Sequence, residues 1–172
     1  MKYDIIIVGS GPGGYVAAIR AAQLGKKTAL VERAEPGGVC LNWGCIPTKA
    51  LLKSAQVYTY CKSAAHYGLD LTGEVKPDLE KIVARSRGVA ETMNKGVLFL
   101  LKKNNVELIN GFAKLKGNGR IDVDGTEYEA DHIILATGAR PREMPFMPID
   151  GEHVISSKQA LVLPKLPETM IV

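Results

Sequence analysis

The chain has 172 residues, 46% of them hydrophobic and 6% aromatic, with 18 glycines and a formal charge of +4. That length supports one domain with a real core rather than two full ones. Lysines and arginines scattered among acids make no basic stripe for nucleic acid, and no apolar run approaches the ~18 residues of a membrane span. The first residues lack the basic, apolar and small-residue succession of a signal peptide. Three cysteines without an export signal point to a reducing compartment, by default a bacterial-type cytoplasm, where a disulfide is more often catalytic than structural.

Residues 3–8 read as a short, buried, β-branched strand. Gly9-Ser10-Gly11-Pro12-Gly13-Gly14 follows at once. Tyr15 to Leu24 then reads as an Ala-rich helix that Gly25 ends as a left-handed cap, and Lys27 to Glu32 as a second strand. Glycines at 9, 11 and 14 fill the G-x-G-x-x-G spacing. Gly9 would permit the tight turn, Gly11 the approach of backbone to a pyrophosphate, and Gly14 close packing of helix on strand. The phosphates would sit on the N–H groups and positive dipole end of the helix. Glu32 closes the second strand close to the roughly 20 residues at which such a fingerprint places an acid. A carboxylate there accepts ribose hydroxyls and repels a 2′-phosphate, so the stretch points to a dinucleotide.

Gly37 to Lys49 carries Cys40 and Cys45 among Gly37, Gly38, Gly44 and Pro47. Residues five apart on a regular helix have Cα atoms about 8.7 Å apart, and a disulfide needs less than about 7 Å. If these two pair, the backbone departs from ideal helix there, which glycines and a proline make easy. So short a loop gains little as a staple; it suits a redox switch better. Metal ligation is the competing reading. A zinc site needs a second close pair, and an iron–sulfur spacing needs a cysteine where Thr48 stands.

Ala50 to Ala65 reads as a helix, with Cys61 a plain core residue, and residues 66–76 as a loop. Pro77-Asp78 opens a long helix to about Lys103, with an apolar face of Ile82, Val83, Val89, Met93, Val97, Leu98 and Leu101. Val106 to Asn110, Phe112 to Leu115, Arg120 to Val123 and Thr126 to Glu129 then read as a small antiparallel meander. His132 to Ala136 is a further buried strand, running into Thr137-Gly138-Ala139, a glycine turn at the carboxyl end of a parallel strand, where open α/β sheets bind ligands. Prolines from Pro141 to Pro167 mark an extended linker, and Glu168 to Val172 looks like the first half of another strand.

Three segments resemble the flavoprotein disulfide reductases: Asp4 to Gly14, Gly37 to Ala50, and Ala136-Thr137-Gly138. Cys-Leu-Asn-x-Gly-Cys-Ile-Pro followed by Lys-Ala-Leu-Leu leans to the lipoamide branch of that family, with Trp43 and Thr48 in place of the commonest Val and Ser. The resemblance implies a Rossmann-like α/β fold with a parallel sheet, helices and a small antiparallel meander. It implies FAD on Gly9, Ser10, Gly11, Gly14, Glu32 and Arg33. It also brings Gly38, Val39, Cys40, Lys49, Ala113, Thr137, Gly138 and Ala139 to that cofactor. Cys40 would be the interchange thiol, Cys45 the thiolate facing the flavin, and Lys49 the cation near its N5 edge. The reaction implied is oxidation of dihydrolipoamide, carried on the lipoyl domain of 2-oxo acid dehydrogenase complexes, by NAD+ in a homodimer.

The expected division is residues 1–145 as the FAD-binding domain. Residues 146–172 are then a linker and first strand of a truncated nicotinamide-binding domain, the dimerisation domain being absent. None of His66, His132 and His153 sits in the family's His–Glu base motif, so this piece alone is expected not to turn over. A related disulfide or mercuric reductase, and a non-catalytic flavin-binding module, are the alternatives.

Overall fold

A computed structural model describes residues 2–172. They fall into two compact units, residues up to 42 with 91–140, and residues 43–90 with 141–172.

The first unit is organised on one sheet. Its strands are β1 (Lys2–Val8), β2 (Thr28–Glu32), β3 (Glu107–Asn110), β4 (Ala113–Gly117), β5 (Arg120–Val123) and β6 (Thr126–Leu135), in the order β3-β2-β1-β6-β5-β4. β3, β2, β1 and β6 run parallel, and β5 and β4 continue the sheet antiparallel from β6. Ile6 and Ile7 of β1 are both buried, as are Ala29, Leu30 and Val31 of β2. Consecutive burial means both faces of the central strands are covered, the mark of a parallel sheet. Tyr3, Ile6, Ala29, Val31, Ile109, Ile121, Val123 and Ala130 form its core.

Helix α1 (Pro12–Gln23) links β1 to β2. Proline at its first position lacks only an N–H that the helix could not have paired. At its end Lys26 N–H donates to Ala21 O and Gly25 N–H to Ala22 O, with Gly25 at φ +78°. This is the left-handed cap expected at Gly25, in its double-bonded form. After β2 comes α2 (Gly38–Trp43).

In the second unit lie α3 (Cys45–Lys62), a 3-10 turn at Ala64–Tyr67, and α5 (Ser157–Ala160); α4 (Leu79–Lys103) runs through both units. The Asp78 carboxylate caps α4 by accepting from Lys81 N–H at 3.1 Å and pairs with the Lys81 ammonium at 2.9 Å. No helix among the described residues is long and apolar enough to cross a membrane.

Several elements differ from the sequence reading. Val106 to Asn110 is not part of the meander: β3 pairs parallel with β2, because α4 carries the chain back as a crossover and so returns the strand in the same direction. Thr126–Glu129 and His132–Ala136 are one strand rather than two. β6 pairs antiparallel with β5 along its first residues and parallel with β1 along the rest. Its end is not buried, since His132, Ile134 and Leu135 are exposed. The helix expected over Ala50–Ala65 starts five residues earlier and ends at Lys62. On α4 the buried stripe is Ser86, Ala90, Val97 and Leu101, at spacings of four and seven residues, while Met93 and Leu98 are exposed. Residues 168–172 form no strand.

Candidate functional site

Three segments meet at the carboxyl ends of β1, β2 and β6. Going outward from β1 to β2 to β3, the chain then crosses to the far side of β1 with β6, so β1 and β6 flank the point where strand order reverses. Open sheets bind ligands at that crevice. Gly9 leaves β1 at φ +99° with its N–H on Val31 O at 2.8 Å. A Cβ there would lie 2.3 Å from Ala136 O, and a Cβ on Gly14 only 1.7 Å from Gly9 O. Both glycines are therefore required by contact with backbone. Gly11 and Gly13 are different, because a Cβ on either would point into open space. Side chains at those positions would fill the space in front of the helix N-terminus. Pro12 has no N–H, and Gly14 and Tyr15 donate to Gly11 O.

Glu32 ends β2, and its carboxylate is fully engaged. Oε2 accepts from Ser10 N–H at 2.9 Å and from the Ser10 hydroxyl at 2.7 Å; Oε1 accepts from the N–H groups of Arg33 and Ala34 at 2.9 Å each. Burial pushes the carboxyl pKa up. The bonds from the Ser10 hydroxyl and from the N–H groups of Ser10, Ala34 and Arg33 outweigh that and hold it below the usual range. Ser10 itself is buried. Of the four donors, only its hydroxyl is on a freely rotating bond, so a ribose hydroxyl arriving at Glu32 would take that donor's place. Nearby, Gly111 N–H donates to Glu32 O at 2.8 Å and the Arg33 guanidinium lies 5.7 Å from the Phe112 ring centroid. Those contacts place Ala113, at the head of β4, beyond the same strand end.

The cysteine segment is held against the glycine turn. Gly37 N–H donates to Ser10 O at 3.0 Å, and a Cβ on Gly38 (φ +63°) would come within 2.6 Å of Gly11 Cα. Buried Asn42 donates to Pro36 O at 2.9 Å and Gly38 O at 3.0 Å. Asn94 of α4 donates to Asn42 Oδ1 at 3.3 Å and also to Pro36 O. Asn94 carries no motif in the sequence, and a polar residue on the buried side of an amphipathic helix was its only signal.

Cys40 and Cys45 are both disulfide-bonded while Cys61 is free; in a chain of three cysteines they are therefore bonded to each other. The backbone departure this requires falls at Gly44 (φ −149°, ψ −113°), which separates α2 from α3. Cys45 is the first residue of the 18-residue α3, where the helix dipole favours a thiolate. Lys49 follows one turn later on the same face. Cys40 is half-buried, and Val39, Cys45 and Lys49 are exposed. Thr137, Gly138 and Ala139 are exposed, with Gly138 at φ +68°, and Thr137 Cα would be 3.1 Å from a Gly9 Cβ. Cys61 is half-buried rather than core. With Tyr58, Ile82 and Arg85 it lines a separate cavity of about 390 Å³.

A sheet of this order with a dinucleotide cradle and an adjoining cysteine pair defines a class of redox flavoprotein. Residues 3–172 match the pyridine nucleotide-disulphide oxidoreductase family, and the chain belongs to it. It carries the family's Rossmann-like FAD-binding fold together with the Cys40–Cys45 disulfide. It is 50% identical over 191 residues to a dihydrolipoyl dehydrogenase of Rhizobium etli, a match that covers 99% of this chain and 40% of that protein. Against one of Zymomonas mobilis it is 52% identical over 177 residues, covering 99% and 37%. Among solved structures it resembles LpdA of Mycobacterium tuberculosis, with a TM-score of 0.86 at 30% identity, over 97% of this chain and 38% of that one. The chain thus spans about two fifths of the length of the curated relatives it matches.

Proposed function

We propose that these residues are the flavin- and disulfide-bearing part of a dihydrolipoyl dehydrogenase. The observation that carries this reading is the Cys40–Cys45 disulfide held directly against the glycine turn through Gly38 and Gly11. FAD would lie on Gly9, Ser10, Gly11, Gly14, Glu32 and Arg33. Ala113 would stand at its adenine end, and Gly38, Val39, Cys40, Lys49, Thr137, Gly138 and Ala139 toward its flavin. The open space before Gly11 and Gly13 and the ionised Glu32 fit a dinucleotide with a free ribose diol. When bound, FAD supplies a two-electron acceptor that relays electrons from the dithiol to NAD+.

The chain's own residues account for the exchange half of the reaction. One sulfur of dihydrolipoamide, as thiolate, attacks Cys40 Sγ and forms a mixed disulfide, and the Cys40–Cys45 bond breaks. Cys45 leaves as a thiolate. Thiol–disulfide exchange favours the leaving group of lower pKa. Cys45 has the helix N-terminus of α3 under it and the Lys49 ammonium one turn on, so attack falls on Cys40. The second substrate sulfur then attacks the substrate sulfur bonded to Cys40, closing the cyclic disulfide and releasing Cys40 as a thiolate. Two electrons are now on the cysteine pair, and the two substrate protons have gone to a base outside these residues. In this reading residues 146–172 lead into a nicotinamide-binding domain, the base comes from a partner subunit, and the 172 residues alone do not turn over. The working protein is then a cytoplasmic homodimer that serves the lipoyl domain of a 2-oxo acid dehydrogenase complex.

Anaerobic two-electron titration tests the division of roles. A long-wavelength charge-transfer band should grow on reduction, persist in Cys40→Ser and vanish in Cys45→Ser. A band that survives Cys45→Ser overturns the assignment. Turnover of glutathione disulfide in preference to dihydrolipoamide would move the protein to a sibling branch.

A further inference from the structure

Trp43 is the only tryptophan of the chain and stands between the two cysteines. The Arg87 guanidinium carbon lies 4.2 Å from its ring centroid and the Lys158 ammonium 4.4 Å. These are the two shortest cation–ring distances among the described residues; the others run from 5.0 to 5.9 Å. Arg87 comes from the middle of α4. Lys158 is held by the short α5, whose start is fixed by reciprocal bonds between Ser156 and Gln159. Tryptophan is the strongest of the aromatic rings for such contacts.

The indole is gripped beside the Gly44 joint between α2 and α3. Closing the disulfide turns the chain at Gly44, which has no side chain to hold its own conformation and lies between two helices. Its N-terminal neighbour is Trp43. The residue before that, Asn42, is fixed by three of its own hydrogen-bonding contacts and by Asn94. So the side chains of the two residues before the joint, Asn42 and Trp43, are both held, and Trp43 is the nearer. Reducing the Cys40–Cys45 bond takes two electrons and frees that joint. How readily the bond re-forms depends on how often the two sulfurs meet.

We propose that the Arg87–Trp43–Lys158 stack is a positioning device that holds the Gly44 turn closed, so stabilising the Cys40–Cys45 disulfide and setting its reduction potential. The proposal rests on the reading of that pair as the redox centre. The direction distinguishes position from charge. Two cations acting only by their field would stabilise thiolates, so removing them would lower the potential. A clamp acting by position keeps the sulfurs together, and loosening it raises the potential.

The test equilibrates the flavin-loaded protein with graded dithiothreitol redox buffers, alkylates free thiols under acid quench, and weighs the tryptic peptide of residues 34–49. That peptide contains Cys40 and Cys45 and excludes Cys61. Trp43→Leu should weaken disulfide formation about tenfold, an upward shift of about 30 mV for a two-electron couple, and Trp43→Phe less in the same direction. Arg87→Gln with Lys158→Gln should also shift upward, while Arg87→Lys with Lys158→Arg should return to the native value. A downward shift in the double glutamine variant, or no shift in Trp43→Leu and Trp43→Phe alike, overturns the clamp and leaves the redox pair standing. If the native peptide stays oxidised at every poise, or its reduction is not matched by reduction with dihydrolipoamide, the redox-centre reading falls and the clamp with it.

Discussion

At Gly9, Gly11 and Gly14 the chain works by leaving side chains out, whereas between Cys40 and Cys45 it works by the side chains it puts in. The glycine turn is fixed by backbone: Gly14 lies against Gly9 O, Gly9 against Ala136 O, and the remaining space is kept for a ligand. The cysteine segment bends at a glycine as well. There Asn42 and Trp43 lead into the bend, and their side chains are held from outside the segment, Asn42 by Asn94 and Trp43 by Arg87 and Lys158. A cradle for a bound group is best made rigid and empty. A bond that must open and close is best given a soft joint with external supports, since each support can be tuned without touching the sulfurs.

The largest effect that would break this contrast lies in the cradle. Gly14→Ala forces a Cβ onto Gly9 O, backbone that cannot swing aside, and should cost about 3 kcal/mol or more with loss of bound flavin. Urea unfolding and the absorbance of the purified protein measure both. Gly138→Ala, where a Cβ meets nothing within 4 Å, should cost only the left-handed penalty of about 1 kcal/mol. Equal costs at the two positions would mean that close backbone contact is not what fixes the turn.

A middling effect is expected in the cysteine segment. Asn42→Ala strips donors from the Pro36 and Gly38 carbonyls and the acceptor from Asn94, and should cost about 2 kcal/mol by urea unfolding. If the segment is held only by its own glycines, Asn42→Ala will be near neutral.

The smallest effect is electrostatic. Glu32 has a folded pKa below its ordinary value. Its contribution to stability is therefore complete above the unfolded pKa of about 4.3, and is lost as pH falls through the folded value. Thermal midpoints should show no Glu32-dependent change near neutrality and a decline in the acid range that Glu32→Gln flattens. A slope unaltered by Glu32→Gln would assign the acid sensitivity elsewhere.

The same contrast governs what the sequence makes legible. Gly9, Gly14 and Gly25 could be read in advance because a glycine's job is local: a turn, a close approach, a cap within a few residues. The order of β1, α1 and β2 follows from that short stretch. The direction of β3 is not legible, because it is set by the helix before it rather than by its own four residues, and β6 reads as two strands because its pairing passes from β5 to β1 midway. Trp43 could not be assigned at all. Its partners are 44 and 115 positions away in the sequence, and nothing in a cation's neighbours announces the ring it will cover. Asn94 has only its place on the buried side of α4 to mark it, since its partner Asn42 is equally remote in sequence.

The pairing of β1 with β6 sets a condition on biosynthesis. Val8 lies beside Leu135 and Lys2 beside Glu129, so the central strand emerges from the ribosome long before its neighbour on one side exists. Until then β1 and β2, joined in turn by β3, leave one edge of β1 unpaired, a template for pairing with the wrong chain. Topology of this kind delays closure, because a long loop must be restrained before its contacts form. The nascent chain therefore passes through an interval in which the turn at Gly9 has no Ala136 to rest on, and flavin capture has to wait for translation to reach the end of β6.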